Sequence, residues 1–231
     1  MKKHIPNTIT CCNLLSGCIA IVFALNGSAP LALLFIIIGA VFDFFDGMSA
    51  RLLGVSSPIG KELDSLADDI TFGVAPASIV FEFLCGYNFH ELPYQLAILM
   101  PFVAYIIAAF SALRLAKFNL DERQTTSFIG LPTPANALFW GALIVGMGDQ
   151  LIASPYLVWA VVVMIFISSF LLVAELPLFA LKFKHWGWKG NEVKYIFILS
   201  SAALILVLGV NGIAATIAWY VILSTIQKTV S

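Results

Sequence analysis

The sequence concentrates carboxylates in one short stretch, where six of its thirteen acidic residues fall between positions 43 and 69. These residues are Asp43, Asp46, Glu62, Asp64, Asp68 and Asp69. The flanking residues are strongly apolar, and an ionised aspartate at membrane depth costs about 3 kcal/mol even on mild scales. A carboxylate that persists in such surroundings is therefore predicted to have a functional role.

The spacing of four of these carboxylates places them on two helix faces. Asp43 and Asp46 are about 60° apart on one helix, and Asp64 and Asp68 are about 40° apart on the next. A short connection makes the two helices antiparallel neighbours, so the pairs can face each other. Four facing carboxylates repel one another without cations. Because hard oxygen ligands suit Mg²⁺ or Mn²⁺ and not zinc or copper, the pattern predicts a divalent-metal site.

Small residues accompany the aspartates and indicate what such a metal would hold. Gly47 and Ala50 share the face of Asp43, and Gly60 opens the helix that carries Asp64. Arg51 adds a cation whose planar fork suits phosphate. This combination predicts a metal–diphosphate site, although close helix packing alone explains the glycines equally well.

The elements that position these residues are apolar helices. The chain has 231 residues, of which 61% are hydrophobic and 11% are charged, and its mean hydropathy is +0.98. This composition excludes soluble, disordered, collagen-like and disulfide-scaffold proteins, and the unbroken apolar runs exclude a porin-type barrel. We expect an all-α, polytopic membrane helix bundle of about eight spans. The predicted spans are 8–27, 31–53, 63–85, 95–119, 133–149, 155–181, 193–209 and 211–227.

The twelve basic residues predict the orientation of this bundle. All of them lie before the first span, after the last one, or in and around alternate loops, and the four opposite loops contain none. They are Lys2, Lys3, Arg51, Lys61, Arg114, Lys117, Arg123, Lys182, Lys184, Lys189, Lys194 and Lys228. By the positive-inside rule both termini are expected in the cytoplasm, with the candidate site facing it.

The candidate site also fits a known motif. It reads Asp43-Phe-Phe-Asp46-Gly47-Met-Ser-Ala50-Arg51, then eight residues, Gly60, three residues, Asp64, three residues and Asp68. This pattern resembles the signature of the CDP-alcohol phosphotransferase family at every fixed position. Within that family the chain is similar to the small, membrane-embedded phosphatidylserine synthases. That similarity rests on the segments 62–68, 71–76, 114–119 and 128–135 and covers about the first 136 residues. Two departures are Lys117, where arginine is expected more often, and the acidic Asp69.

The resemblance implies a reaction at a cell membrane. The serine hydroxyl would attack the lipid-attached phosphorus of CDP-diacylglycerol, releasing CMP and forming phosphatidylserine. Two ions of Mg²⁺ or Mn²⁺ are implied on Asp43, Asp46, Asp64 and Asp68, with Asp68 also the general base. The implied CDP-lipid-binding residues are Thr10, Asn13, Gly47, Ala50, Arg51, Ser57 and Gly60. The family also implies a homodimer.

A serine acceptor needs a cation for its carboxylate. Arg114 and Lys117 lie about 60° apart at the end of the fourth span, with Asn119 nearby, and we predict that these three residues bind the acceptor. Both cations are equally well explained as interfacial anchors. The loop from Gly130 to Ala135 is either a cover for this pocket or an ordinary turn.

Three alternatives remain open at this stage. The same chemistry with inositol phosphate, glycerol phosphate or choline would use the same aspartates. A divalent-cation or proton transporter would also need buried carboxylates. Such transporters often contain inverted repeats, and this sequence has no second copy of the Asp43–Asp68 pattern. A membrane scaffold would not need them. We expect one integral membrane domain over 1–231, with motif-bearing helices in 1–136 and further helices in 137–231, and no nucleic-acid partner.

Overall fold

The computed structural model describes residues 4–55, 57–120, 128–179, 187–188 and 191–230. Half of the basic residues behind the predicted orientation lie outside these ranges: Lys2, Lys3, Arg123, Lys182, Lys184 and Lys189. The described chain is an all-α bundle with one pair of two-residue strands. The first helices are α1 (His4–Leu25), α2 (Ala29–Leu53), α3 (Pro58–Asp68), α4 (Ala75–Cys85), α5 (Tyr94–Leu99) and α6 (Ile106–Leu120). The later helices are α7 (Thr133–Ile152), α8 (Pro155–Val173), α9 (Glu192–Leu208) and α10 (Asn211–Val230).

Two of the predicted spans are built from joined helical segments. A π-helical turn, Asp69–Val74, links α3 to α4, and a 3₁₀ segment, Met100–Tyr105, links α5 to α6. Each predicted span thus overlaps one helical segment of the described chain. Five of these are long and apolar enough to cross a membrane: His4–Leu25, Ala29–Leu53, Tyr94–Leu120, Thr133–Ile152 and Pro155–Val173. The polytopic membrane bundle is confirmed, and the total of eight crossings stays a prediction.

Local sequence explains how the chain passes from α2 to α3 through a short connection. Gly54 ends α2 with a left-handed φ of 62°, and the backbone N–H of Val55 returns to the carbonyl of Ala50 at 3.1 Å. Such a glycine satisfies the last carbonyls of a helix. The Ser57 hydroxyl then accepts a hydrogen bond from the backbone N–H of Gly60 at 3.0 Å, and Pro58 begins α3. A helix stop and a helix start within four residues reverse the chain, so the aspartates of α2 meet those of α3.

The predicted end of the sixth span at residue 181 is wrong, because α8 ends at Val173. Ala174 is already extended, and the following segment forms β2 (Pro177–Leu178), which pairs antiparallel with β1 (Phe128–Ile129). The backbone N–H of Gly130 donates to the carbonyl of Leu176 at 3.0 Å. Pro177 cannot supply a helical N–H, and the pairing with the 128–131 segment takes the place of a further helical turn.

The core holds the π-helical turn against the first two helices. Large side chains such as Phe72, Trp140 and Ile36 are fully buried between α2, α4 and α7. The hydroxyl of Thr71 in the turn donates to the carbonyl of Asn13 in α1 at 3.0 Å. Gly17 allows this approach, since a Cβ added there would lie 2.8 Å from Thr71 Cα and 2.9 Å from its backbone nitrogen.

We expect Gly17→Ala to lower the free energy of unfolding by about 1–3 kcal/mol, because the added methyl meets backbone that cannot swing aside. The measurement is the thermal unfolding midpoint in detergent. Gly148→Ala is the matched control, since its Cβ would meet other atoms only at 3.7 Å and beyond. A midpoint for Gly17→Ala equal to that of the control would show that α1 does not pack this closely on the turn.

Candidate active site

Three of the four predicted metal ligands converge. One carboxylate oxygen each from Asp43, Asp64 and Asp68 lies within 4.8 Å of the other two. Oδ1 of Asp64 is buried and has no hydrogen-bond partner among the described residues. Three hard oxygen donors this close together, one of them buried and unpaired, suit a divalent cation such as Mg²⁺ or Mn²⁺. The donor set therefore fits the metal that the sequence predicts.

Asp46 has a different environment from the other three aspartates. Its side chain is only 6% exposed, and its Oδ2 accepts a hydrogen bond from the hydroxyl of Thr10 at 2.6 Å. The resemblance implied that Thr10 binds the CDP-lipid, and the structure shows that its hydroxyl pairs with Asp46. Thr10 therefore orients this carboxylate at the edge of the cluster, where Asp46 and Asp64 both face an open cavity.

Asp68 is held from the side of α1. The Asn13 side-chain amide donates to Asp68 Oδ1 at 3.0 Å, and Asn13 is fully buried. The Thr71 hydroxyl anchors the Asn13 backbone, so this amide is fixed by the turn that follows Asp68. Asn13 was predicted to bind the CDP-lipid; the structure pairs its amide with Asp68, and its role towards the lipid stays a prediction. The sequence shows both residues but not the helix register that pairs them.

A cavity of about 260 Å³ opens beside the aspartates. Five of the seven residues predicted to bind the CDP-lipid line it: Thr10, Gly47, Ala50, Ser57 and Gly60. A Cβ added at Gly47 would come within 4 Å only of the Arg51 guanidinium, with Nη1 at 3.5 Å. Gly47 therefore leaves room for a ligand, and Arg51 lies at its rim.

Lys61 is a cavity residue that the sequence analysis did not assign to the site. Its Nζ donates to the backbone carbonyl of Asn119 at 2.8 Å, and the Asn119 side-chain amide donates to Ser65 Oγ at 2.8 Å. These two bonds tie the end of α6 to the first turns of α3. The sequence feature that could have identified Lys61 as a cavity residue is its position directly after Gly60, because both residues lie in the first turn of α3.

The predicted acceptor residues differ in their placement. Arg114 is 8% exposed and interacts electrostatically with Asp68. Lys117 lies on the exposed face of α6, and the Asn119 amide is engaged with Ser65. Arg114 is thus the member of this group that the structure brings to the aspartates. In the predicted cover loop, Gly130 adopts a φ of 77° and bonds to Leu176, and its covering role stays a prediction.

Apolar helices that bring three carboxylates together next to a cavity lined by small residues are typical of a polytopic membrane enzyme. The model of one family, described as CDP-alcohol phosphatidyltransferase, matches residues 3–167. The chain belongs to this family, as the motif from Asp43 to Asp68 indicated.

Curated relatives carry a more specific name, CDP-diacylglycerol–serine O-phosphatidyltransferase. The Bacillus subtilis protein is 41% identical over 132 residues, which are 57% of this chain and 70% of that protein. A Helicobacter pylori protein is 36% identical over 135 residues, 58% of this chain and 54% of that protein. A Mycobacterium bovis protein is 29% identical over 229 residues, 95% of this chain and 72% of that protein. The aligned part thus spans between 54% and 72% of the length of these relatives.

Proposed function

We propose that the chain transfers a phosphatidyl group from CDP-diacylglycerol to the hydroxyl of L-serine, releasing CMP and forming phosphatidylserine. The observation that carries this proposal is the convergence of Asp43, Asp64 and Asp68 beside a cavity lined by Gly47, Ala50 and Gly60. The names of the relatives support the choice of CDP-diacylglycerol and serine as the two substrates.

The aspartates would hold the metal that this chemistry requires. Asp43, Asp64 and Asp68 offer converging oxygens, and Asp46 would complete a four-aspartate set for two ions of Mg²⁺ or Mn²⁺. When bound, such ions neutralise the charge of the diphosphate and of the leaving CMP. The guanidinium of Arg51 and the ammonium of Lys61 add positive charge at the cavity, where the diphosphate would lie.

Asp68 would act as the general base. As the serine oxygen forms its bond to the lipid-attached phosphorus, the phosphorus–oxygen bond to CMP breaks and the hydroxyl proton passes to the Asp68 carboxylate. The amide of Asn13 donates to Oδ1 and fixes the direction of that carboxylate. A base held in one orientation needs less reorganisation at the moment of transfer.

The acceptor carboxylate would bind Arg114, which is buried and close enough to Asp68 to interact with it electrostatically. Lys117 and Asn119 would contribute at the rim, Lys117 as a charge that attracts the acceptor and Asn119 by holding α6 against α3.

We also propose that residues 1–231 form one integral domain of the cell membrane, with its active site facing the cytoplasm, and that two copies form a homodimer.

The test is metal-dependent release of CMP by the purified protein. CDP-diacylglycerol would be supplied in mixed micelles with Mg²⁺ or Mn²⁺ and with serine, inositol phosphate, glycerol phosphate, choline or no acceptor. We expect release with serine alone. Release with another acceptor would keep the donor and overturn the serine assignment, and no release with any acceptor would favour a cation transporter.

A further inference from the structure

The π-helical turn sends two adjacent carboxylates to different parts of the molecule. Asp68 faces Asn13 and the other aspartates, whereas Asp69 packs against α6. A Cβ added at Gly73 would lie 2.6 Å from Asp69 Oδ1 and 3.0 Å from Ser111 Cβ, so the Asp69 carboxylate and Ser111 flank the same glycine. Asp69 is therefore outside the metal cluster although it follows Asp68 in the chain.

Polar atoms in this region lack partners. Oδ1 of Asp69, Oγ of Ser111 and Nε of Arg114 are each buried and accept or donate no hydrogen bond within the described part of the chain. Ser111 is fully buried and Arg114 is 8% exposed. Buried polar atoms are usually paired, because leaving one unpaired costs free energy. Three such atoms on two packed elements leave hydrogen-bonding groups that are free to pair with a small polar ligand.

The three residues also offer complementary groups: a carboxylate, a neutral hydroxyl and a guanidinium. Ser111 and Arg114 are three residues apart on the buried face of α6, so they point in similar directions one turn apart. Arg114 interacts with Asp68, which connects this region to the reaction centre. A carboxylate, a hydroxyl and a guanidinium are together the groups that bind the ammonium and the carboxylate of a small amino acid.

We propose that Asp69 and Ser111 bind the ammonium group of the acceptor while Arg114 binds its carboxylate, so that the site selects a hydroxyl amino acid. This inference rests on the proposed function and assigns Asp69 as a specificity residue of the same site. The Asp69 carboxylate would repel the phosphate of inositol phosphate or glycerol phosphate. Choline has the cation but leaves Arg114 without its anion.

The test compares the wild type with Asp69→Asn, which keeps the side-chain volume and removes the charge. CMP release would be measured with L-serine, with glycerate, which has a hydroxyl in place of the ammonium, and with ethanolamine, which lacks the carboxylate. We expect the KM for serine to rise about ten- to hundredfold, since a hydrogen bond to a charged group is lost. The KM for CDP-diacylglycerol is expected to stay within about twofold. The preference for serine over glycerate should fall as the serine KM rises. The preference for serine over ethanolamine should stay unchanged, because both acceptors carry the ammonium group.

Controls separate this role from a structural one. Asp149→Asn removes an exposed charge at the end of α7 and should match the wild type. Ser111→Ala should raise the serine KM in the same direction but by less, and Asp69→Glu should recover part of the serine preference. An unchanged serine KM in Asp69→Asn, or an equal rise in both substrate KM values, would overturn the assignment while leaving serine as the acceptor. A wild type that does not use serine would overturn the proposed function itself.

Discussion

Replacing Asp68 with asparagine is expected to lower CMP release at saturating substrates by about a hundred- to ten-thousandfold, the usual contribution of a general base. Asparagine fills the same volume but cannot take the serine proton. The cavity lined by Gly47, Ala50 and Gly60 does not include Asp68, so the affinity for CDP-diacylglycerol should change little.

Two measurements on the same preparation check this prediction. One is CMP release with serine at saturation, and the other is equilibrium binding of labelled CDP-diacylglycerol in mixed micelles with metal and without serine. Glu62→Gln is the matched control, because Glu62 is an exposed carboxylate on the same helix. If Asp68→Asn loses lipid binding as fully as it loses turnover, Asp68 is chiefly a metal ligand and not the base.

The facing of the aspartates could be predicted because it depends on local rules. The spacing within each pair defines a helix face, and the stop at Gly54 followed by the start at Pro58 brings the faces together. The structure accordingly brings Asp43, Asp64 and Asp68 within 4.8 Å of one another. The same reasoning located Gly47, Ala50 and Gly60 at the cavity, since small residues on the Asp43 and Asp64 faces border the same space.

The contributions of α1 could not be predicted in the same way. The resemblance implied that Thr10 and Asn13 bind the CDP-lipid, but it did not reveal that they hydrogen-bond Asp46 and Asp68. That pairing depends on the register of α1 against two other helices. The register follows from contacts distant in sequence, such as Gly17 against Thr71, which no spacing within α1 reveals.

The neighbours of the Asp69 side chain also could not be predicted from the sequence. A regular helix places Asp69 about 100° from Asp68, but it does not say which neighbour lies there. A π-helical turn forms where tertiary packing favours it, and such turns often occur at functional sites. Here Gly73 allows α6 to approach within contact of the turn, and that contact gives Asp69 its neighbour Ser111.

Removing the divalent cation is expected to reduce CMP release to the background rate, and excess Mg²⁺ or Mn²⁺ should restore it. Without a cation, the converging carboxylates present negative charge next to the cavity where a diphosphate would bind. In Asp64→Ala the metal should not restore release, and we expect a loss of about a thousandfold or more. Asp64 is the sharpest test, since its Oδ1 is buried and unpaired in the described structure.

Binding to the folded state gives a second measurement that does not depend on turnover. A ligand held by the native protein raises its stability by about 2.7 kcal/mol at a hundred times its Kd. Mn²⁺ or Mg²⁺ should therefore raise the thermal unfolding midpoint of the wild type and of Glu62→Gln, but not that of Asp64→Ala. Removal of one of three converging carboxylates also lessens their mutual repulsion, so the metal-free variant should unfold no earlier than the metal-free wild type. CMP release that survives chelation, or an equal metal-induced shift in Asp64→Ala, would show that the aspartates hold no catalytic metal.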